Sequence, residues 1–182
     1  MERTKDMKIK IINITEENLK DAPDSCKHCI YWEFPDEYVN SVNDKKEKMI
    51  QKKLKWLRDT NRLFGNCGKM LYVDGKAVGY SQYAPPKFLP CSAGYQAGPP
   101  SKNAVLISCL FVSKRQVRRS GLGSKLLQSI IDDLKERRIK AVETFAGKDN
   151  VNNPSGPVEF YLRNRFRIYK DDKEFPLMRL EL

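Results

Sequence analysis

The sequence predicts an α/β (α+β) domain in which a mixed, twisted sheet carries helices on both faces. A strongly hydrophobic strand at residues 104–112 is followed by an amphipathic helix at 121–137 and by a further strand at 141–146. A strand, a helix and a strand in this order form a crossover unit, so these two strands should be parallel. Strands outnumber crossover helices along the chain, which favours a sheet with mostly antiparallel pairs.

Seven segments have the alternation, or the β-branched and aromatic content, that is typical of strands. Asp74-Gly75 separates two of them and predicts a hairpin, because both turn residues tolerate positive φ. The predicted strands are residues 8–14, 70–73, 76–80, 104–112, 141–146, 166–170 and 177–182.

Four helices are predicted beside these strands. Thr15, followed by acidic residues, resembles a helix cap, and residues 156–164 should form a short helix. Residues 43–64 should form a helix with Ile50, Leu54 and Leu57 on its apolar stripe. Its many lysines mostly lie off that stripe and predict a solvated face, with nucleic-acid binding as the less favoured interpretation. The fourth is the amphipathic helix described above.

A chain of 182 residues suits one domain, 1–182. Residues 21–42 and 84–103 are loop-rich, and a loop of the second one's length is usually functional or mobile in a compact domain. No apolar run is long enough to span a membrane, and the N-terminus has no apolar segment typical of a secretory signal. Five cysteines and no signal favour reduced thiols and a cytoplasmic location.

The formal net charge of +11 favours a polyanionic partner, such as nucleic acid, an anionic membrane or a phosphate-rich small ligand. Several of these positive charges lie in one segment, residues 113–124, between the hydrophobic strand and its helix. Gly121 and Gly123 would let a phosphate approach the helix N-terminus, where unpaired N–H groups point outward. The segment is neither a P-loop nor the dinucleotide fingerprint, since Leu126 occupies the third glycine position. On spacing alone, a glycine-tightened turn with a solvated basic loop explains it equally well.

Residues 104–146 resemble the GNAT superfamily of acyl-CoA-dependent N-acyltransferases, of the bacterial or archaeal type. The family's Arg/Gln-x-x-Gly-x-Gly/Ala signature is matched in full by residues 118–123. Residues 160–166 resemble its Phe-Tyr-x-x-x-Gly-Phe element, with Arg165 where glycine is usual. The order of elements across 8–182 also fits. The resemblance implies a sheet of about seven strands whose central parallel strands splay.

The resemblance also implies acetyl-CoA as co-substrate and places it residue by residue. The pantetheine arm would pair with the backbone of Leu110, Phe111 and Val112. Asn153 would touch pantetheine, although the family's usual asparagine position holds Pro154 here. The pyrophosphate would bind at Arg118, Arg119, Ser120, Gly121, Leu122, Gly123 and Ser124.

The implied reaction moves an acetyl group to a primary amine by direct attack, with Tyr161 as general acid to the CoA thiolate. A free ammonium is almost wholly protonated at neutral pH, so its proton must be removed first. Glu143 is the first candidate base, with Glu33, Ser108 and a water relay as alternatives. A nucleophile activated by histidine is disfavoured, because His28 is the single histidine and lies far from the motif.

No metal is expected, because Cys26-x-x-Cys29 lacks the second ligand pair that structural zinc needs. The acceptor is a small molecule or a peptide, and a homodimer is compatible with the fold. The aromatic residues expected to wall an acceptor site, or else to pack under long loops, are Trp32, Tyr38, Tyr83, Phe88 and Tyr95. Two other functions stay open: a non-catalytic acyl-CoA sensor, and a basic nucleic-acid-associated protein.

Overall fold

Seven strands form one sheet in the computed structural model, which describes residues 7–40, 46–113, 121–148 and 155–182. The strands are Ile9–Asn13 (β1), Gly68–Val73 (β2), Lys76–Ala84 (β3), Ala104–Val112 (β4), Ala141–Phe145 (β5), Arg167–Lys170 (β6) and Leu177–Glu181 (β7). Their order across the sheet is β1-β2-β3-β4-β5-β7-β6. β4 and β5 are parallel, whereas the other five neighbouring pairs are antiparallel. The mixed sheet and its central parallel pair are confirmed.

Helices cover both faces of the sheet. They are Asp24–Lys27 (α1), Pro35–Asn40 (α2), Lys46–Leu63 (α3), Leu122–Glu136 (α4) and Val158–Arg163 (α5). α4 and α5 pack on one face with the inward side chains of β2 to β5. α3 and the segment that follows β1 pack on the opposite face. None of the described helices is both long and apolar enough to cross a membrane.

The helix predicted after Thr15 is wrong. The Thr15 amide donates to the Asn18 side chain at 2.9 Å, and the Asn18 amide donates to Thr15 Oγ1 at 3.2 Å. This reciprocal pair forms a tight turn that leads only into a 3-10 turn at Leu19–Asp21. Pro23 follows almost at once, and the residue before a proline avoids helical geometry, so the turn does not propagate.

Positive φ angles occur where the sequence predicts a tight turn. Asp74 and Gly75 have φ of 50° and 78° and connect β2 to β3, which confirms the hairpin. Arg165, at the position where the resembling family has glycine, has φ of 68°. The backbone there keeps the left-handed conformation although a side chain is present, which costs an L-residue about 1–2 kcal/mol.

A β-bulge at Ser108 interrupts the pairing of β3 with β4. Gln82 pairs with Cys109 and Tyr83 pairs with Ile107, so Ser108 is the extra residue. Its hydroxyl donates to the Gln82 carbonyl at 3.3 Å. The extra residue reverses the alternation of side chains, so that Cys109 packs on the α3 face although Ile107 packs on the α4 face.

Candidate functional site

β4 and β5 separate halfway along β4. Their parallel pairing runs from Ala104 opposite Ala141 to Ile107 opposite Thr144 and stops there. β4 continues to Val112 alongside β3, whereas β5 ends at Phe145. The second half of β4, which holds Leu110, Phe111 and Val112, therefore lies beyond the last residue paired with β5. The splay that the resemblance implied is confirmed.

The N-terminus of α4 begins with a glycine in the left-handed conformation. Gly121 has φ of 76° and accepts the Lys125 amide at 3.0 Å, while the next residue, Leu122, is fully buried in the core. A Cβ placed on Gly121 would have no atom of the described residues within 4 Å, so these residues leave the backbone at this turn open. The first-turn amides of a helix have no acceptors within the helix and carry its positive dipole end.

α5 packs against this same turn. A Cβ on Gly123 would lie 3.4 Å from the Phe160 ring, so the small residue allows the two helices to approach closely. Ser124 is partly exposed beside it. The signature glycines and the Phe160-Tyr161 element are therefore neighbours in space.

Tyr161 is fully buried where β4 and β5 separate. Its hydroxyl donates to the Ser155 carbonyl, and its ring meets Phe160 and Phe166 edge-on, each with a centroid distance of 5.1 Å. Burial raises the pKa of Tyr161, and a hydrogen bond with Thr144 opposes that rise. Thr144 is the last residue of β5 paired with β4, so the phenol lies at the opening of the splay and keeps its proton at neutral pH.

The described part of the chain thus brings together Leu110 to Val112, the turn from Gly121 to Ser124, and Tyr161. Four predicted residues, Arg118, Arg119, Ser120 and Asn153, lie outside the described residues.

Glu143 is buried in a structural network. Its Oε1 accepts from Ser101 Oγ at 2.7 Å and from Arg179 Nη1 at 2.6 Å. Its Oε2 accepts from the Ser101 amide at 2.8 Å. Both carboxylate oxygens therefore accept hydrogen bonds. Through them Glu143 connects the loop that precedes β4, which holds Ser101, with β7, which holds Arg179.

A cavity of about 400 Å³ lies on the α3 face of the sheet, next to the splay. Cys109 and Phe111, which lie on β4 beyond its pairing with β5, line this cavity, whereas Leu110 and Val112 pack on the α4 face. The lining residues are Ser25, Cys26, Cys29, Tyr31, Trp32, Tyr38, Lys53, Tyr80, Gln82, Tyr95, Cys109, Phe111 and Phe175. The cavity and the predicted donor residues therefore lie on two sides of one opening in the sheet.

Lys53 brings a buried charge to this cavity. Its ammonium forms an ion pair with Glu33 Oε1 and donates to the Cys29 carbonyl at 2.9 Å. Gln82 Nε2 also donates to Glu33 Oε1, at 2.8 Å, while Glu33 Oε2 has no hydrogen-bond partner among the described residues. Burial is the largest single influence on the pKa of Lys53 and lowers it, but the attraction and hydrogen bond of Glu33, together with Cys29 and Cys109, raise the pKa above its usual value.

The interpretation of the α3 lysines as a solvated face is wrong for Lys53. The buried residues of α3 are Lys53, Trp56, Leu57 and Thr60, at i, i+3, i+4 and i+7. That spacing was readable in the sequence, but a lysine is rarely assigned to a buried stripe unless a partner is known. The partner, Glu33, lies 20 residues earlier.

Three of the five predicted aromatic residues, Trp32, Tyr38 and Tyr95, line the cavity, and two do not. Tyr83 packs on the α4 face, because it follows the irregularity in β3 opposite Ser108. There its hydroxyl donates to Asp133 at 2.9 Å. Phe88 lies outside the cavity lining, and its carbonyl accepts a hydrogen bond from Trp56 Nε1 at 2.8 Å.

Cysteines 26, 29 and 109 face the same cavity, and all five cysteines are free thiols. Across the four described ranges, no group of three or more His, Cys, Asp and Glu side chains is arranged to hold a metal ion. A hydrogen bond from Cys109 lowers the pKa of Cys26, whereas burial raises the pKa of Cys67 to about 12.

This difference predicts the order of alkylation. Because the thiolate is the reactive form, limiting iodoacetamide at pH 8 should modify Cys26 well before Cys67, as peptide mass spectrometry would measure. Unfolded protein should lose the preference and serves as the control. Equal labelling of both thiols in the native protein would contradict the assignment.

Comparisons with known proteins agree with this geometry. The sequence model of the acetyltransferase (GNAT) family matches residues 27–165, more than half of the chain. Comparison with curated protein sequences gives no significant match. Among solved structures, the chain is similar to the PaiA N-acetyltransferase of Thermoplasma acidophilum in complex with coenzyme A, at 16% identity and a TM-score of 0.64, covering 96% of this chain and 99% of that one. It is also similar to the ribosomal-protein-alanine N-acetyltransferase of Brucella melitensis, at 17% identity and a TM-score of 0.59, covering 94% and 99%.

Proposed function

Because this chain belongs to the acetyltransferase (GNAT) family, we propose that it is an N-acetyltransferase that moves an acetyl group from acetyl-CoA to a primary amine. One observation carries the proposal: β4 extends past its pairing with β5 at Ile107, next to a helix that begins at an open glycine. This arrangement offers a strand for an extended, amide-containing arm and a positive helix end for a phosphate.

Acetyl-CoA supplies the thioester that reacts. Its pyrophosphate binds at the turn from Gly121 to Ser124 together with Arg118, Arg119 and Ser120. Its pantetheine arm pairs with Leu110 to Val112, and Asn153 contacts the same arm. The net charge of +11 favours the approach of this polyanion.

The amine nitrogen attacks the thioester carbonyl, the carbon–sulfur bond breaks, and an amide and a thiolate result. Tyr161 is proposed to donate its proton to that thiolate. Its hydroxyl is bonded to the Ser155 carbonyl, so donation requires it to exchange this acceptor.

Water is proposed to remove the amine proton. None of the residues that line the 400 Å³ cavity is an Asp or a Glu, among those described. Both oxygens of Glu143, the first candidate base, are held by Ser101 and Arg179. We therefore assign Glu143 a positioning role for the loop before β4.

Gly121→Val should weaken acetyl-CoA binding at least tenfold, as measured by calorimetry at low salt. A β-branched residue disfavours φ of 76°, and its side chain would cover the open turn. Gly75→Val is the matched control, because Gly75 has φ of 78° and equally open surroundings but lies in the β2–β3 hairpin.

Both variants should lose similar stability, and only the first should lose affinity. Absence of acetyl-CoA binding by the wild type would remove the proposal. Tight binding without turnover of any amine would favour an acyl-CoA sensor.

A further inference from the structure

Aromatic side chains form a continuous wall on one side of the 400 Å³ cavity. Tyr95 stacks on Trp32 with a centroid distance of 5.4 Å and an interplanar angle of 9°. Tyr31 meets Trp32 edge-on at 5.2 Å and Tyr38 at 5.3 Å. Phe175 meets Tyr95 edge-on at 5.8 Å. Flat ligands bind well against such walls, because offset and edge-on ring contacts add to the burial of apolar area.

Among the residues that the structure describes, the polar part of the lining carries a cation and no anion. Lys53 donates to Glu33 and to the Cys29 carbonyl, which uses two of the three N–H groups of an ammonium. Glu33 is fully buried behind Lys53 and Gln82 and is not part of the lining. A ligand in this cavity therefore meets the ammonium rather than a carboxylate.

This charge pattern disfavours ligands with several ammonium groups. The reacting amine must lose its proton before it attacks, whereas every further ammonium group of a polyamine stays charged. Such a cation would be repelled by Lys53 and would lose its hydration, with no carboxylate among the described lining residues to replace it. Asp172 and Glu174 line an adjoining cavity, which shares Tyr31, Tyr95 and Phe175 with this one. The size of the inner cavity falls within the about 300–1,000 Å³ range of small-molecule sites.

We propose that the acceptor is a small aromatic monoamine, whose ring packs against Tyr31, Trp32, Tyr38 and Tyr95 while its amine faces the splay near Cys109. This inference rests on the proposed acetyl transfer and names the class of acceptor for it.

The test compares acceptors that differ in one property, using full-length protein, acetyl-CoA and mass-spectrometric detection of the acetylated product. The acceptors are 2-phenylethylamine, propylamine, spermidine and kanamycin. The kcat/KM for 2-phenylethylamine should exceed that for propylamine at least tenfold, as burial of one ring predicts. It should exceed those for both polycations by a similar factor. A preference for propylamine, spermidine or kanamycin would overturn the inference and leave acetyl transfer intact.

A matched pair of tyrosine variants locates the effect. Tyr38 lines the cavity and is 41% exposed, whereas Tyr169 on β6 is 42% exposed and lies outside it. Tyr38→Ala should lower kcat/KM for 2-phenylethylamine at least threefold and leave that for propylamine unchanged, a split that a general structural defect would not produce. Tyr169→Ala should change neither value. Equal effects of Tyr38→Ala on both acceptors would count against the aromatic wall.

Calorimetry of 2-phenylethylamine with CoA-saturated protein separates this inference from the proposed function. Binding that weakens in Tyr38→Ala but produces no acetylated amine would retain the ligand class and reject the transfer reaction. Absence of binding, whatever the turnover of other amines, would reject the aromatic acceptor.

Discussion

Tyr161→Phe should lower the turnover number about 100-fold and leave the affinity for acetyl-CoA within about twofold, since a positioned proton donor contributes about 10²–10⁴ in rate. The substitution removes one hydroxyl and keeps the ring, which packs between Phe160 and Phe166. Steady-state kinetics with a turned-over amine measures the first value, and calorimetry measures the second.

The dependence of turnover on pH distinguishes a lost proton donor from a packing defect. Burial raises the pKa of Tyr161 above the ordinary value of about 10. A phenol with a raised pKa keeps its proton to a higher pH, so the ratio of wild-type to variant turnover should stay constant from about pH 7 to pH 10. A ratio that collapses within this range would remove Tyr161 as the donor.

Tyr83→Phe is the matched control. Tyr83 is also a fully buried tyrosine of the α4-face core, and its hydroxyl donates to Asp133. This variant should lose about 1–3 kcal/mol of stability with no change in turnover beyond about twofold. If Tyr83→Phe slowed the reaction as much as Tyr161→Phe, the loss of any buried hydroxyl would explain both results.

Lys53→Met should lower the free energy of unfolding by about 3–5 kcal/mol, because it leaves Glu33 buried without its cation. Lys53 is 3% exposed, and its ammonium contacts Glu33 and the Cys29 carbonyl and lies 5.6 and 5.9 Å from the ring centroids of Trp56 and Tyr80. Urea unfolding at pH 7 measures the loss.

Two variants separate charge from packing. Lys55→Met lies on the same helix and removes a lysine whose side chain is 74% exposed and pairs with Asp59, so it should change stability by about 0.5 kcal/mol or less. The double variant Lys53→Met/Glu33→Gln removes both charges and should recover most of the loss. If the double variant were no more stable than Lys53→Met, packing of the lysine chain would explain the effect instead of charge.

The fold was predictable because its signals are local. Alternation identified the strands, the spacing of apolar residues identified α4, and Asp74-Gly75 identified the hairpin. Each depends on residues within a few positions of one another. The error after Thr15 also has a local cause. Asn18 and Thr15 form reciprocal hydrogen bonds that compete with a helix, although the acidic residues between them are typical of a helix start.

The donor side of the candidate site was predictable from a resemblance carried by a contiguous motif. Gly121, Gly123 and Tyr161 lie where the motif and the helix pattern place them, since the first two begin α4 and the third follows β5 by a short segment. Their chemical roles remain predictions.

The sequence by itself determined a mixed sheet of about seven strands and its parallel central pair, and it predicted an anion-binding turn at Gly121. Only the tertiary structure decided which residues line the cavity on the α3 face. The bulge at Ser108 turned Cys109 toward the cavity and left Tyr83 on the opposite face, and the ion pair with Glu33 buried Lys53. Local spacing sets secondary structure, but the environment of a side chain depends on partners from distant segments. Those partners gave this cavity its aromatic wall and, among the described residues that line it, one cation.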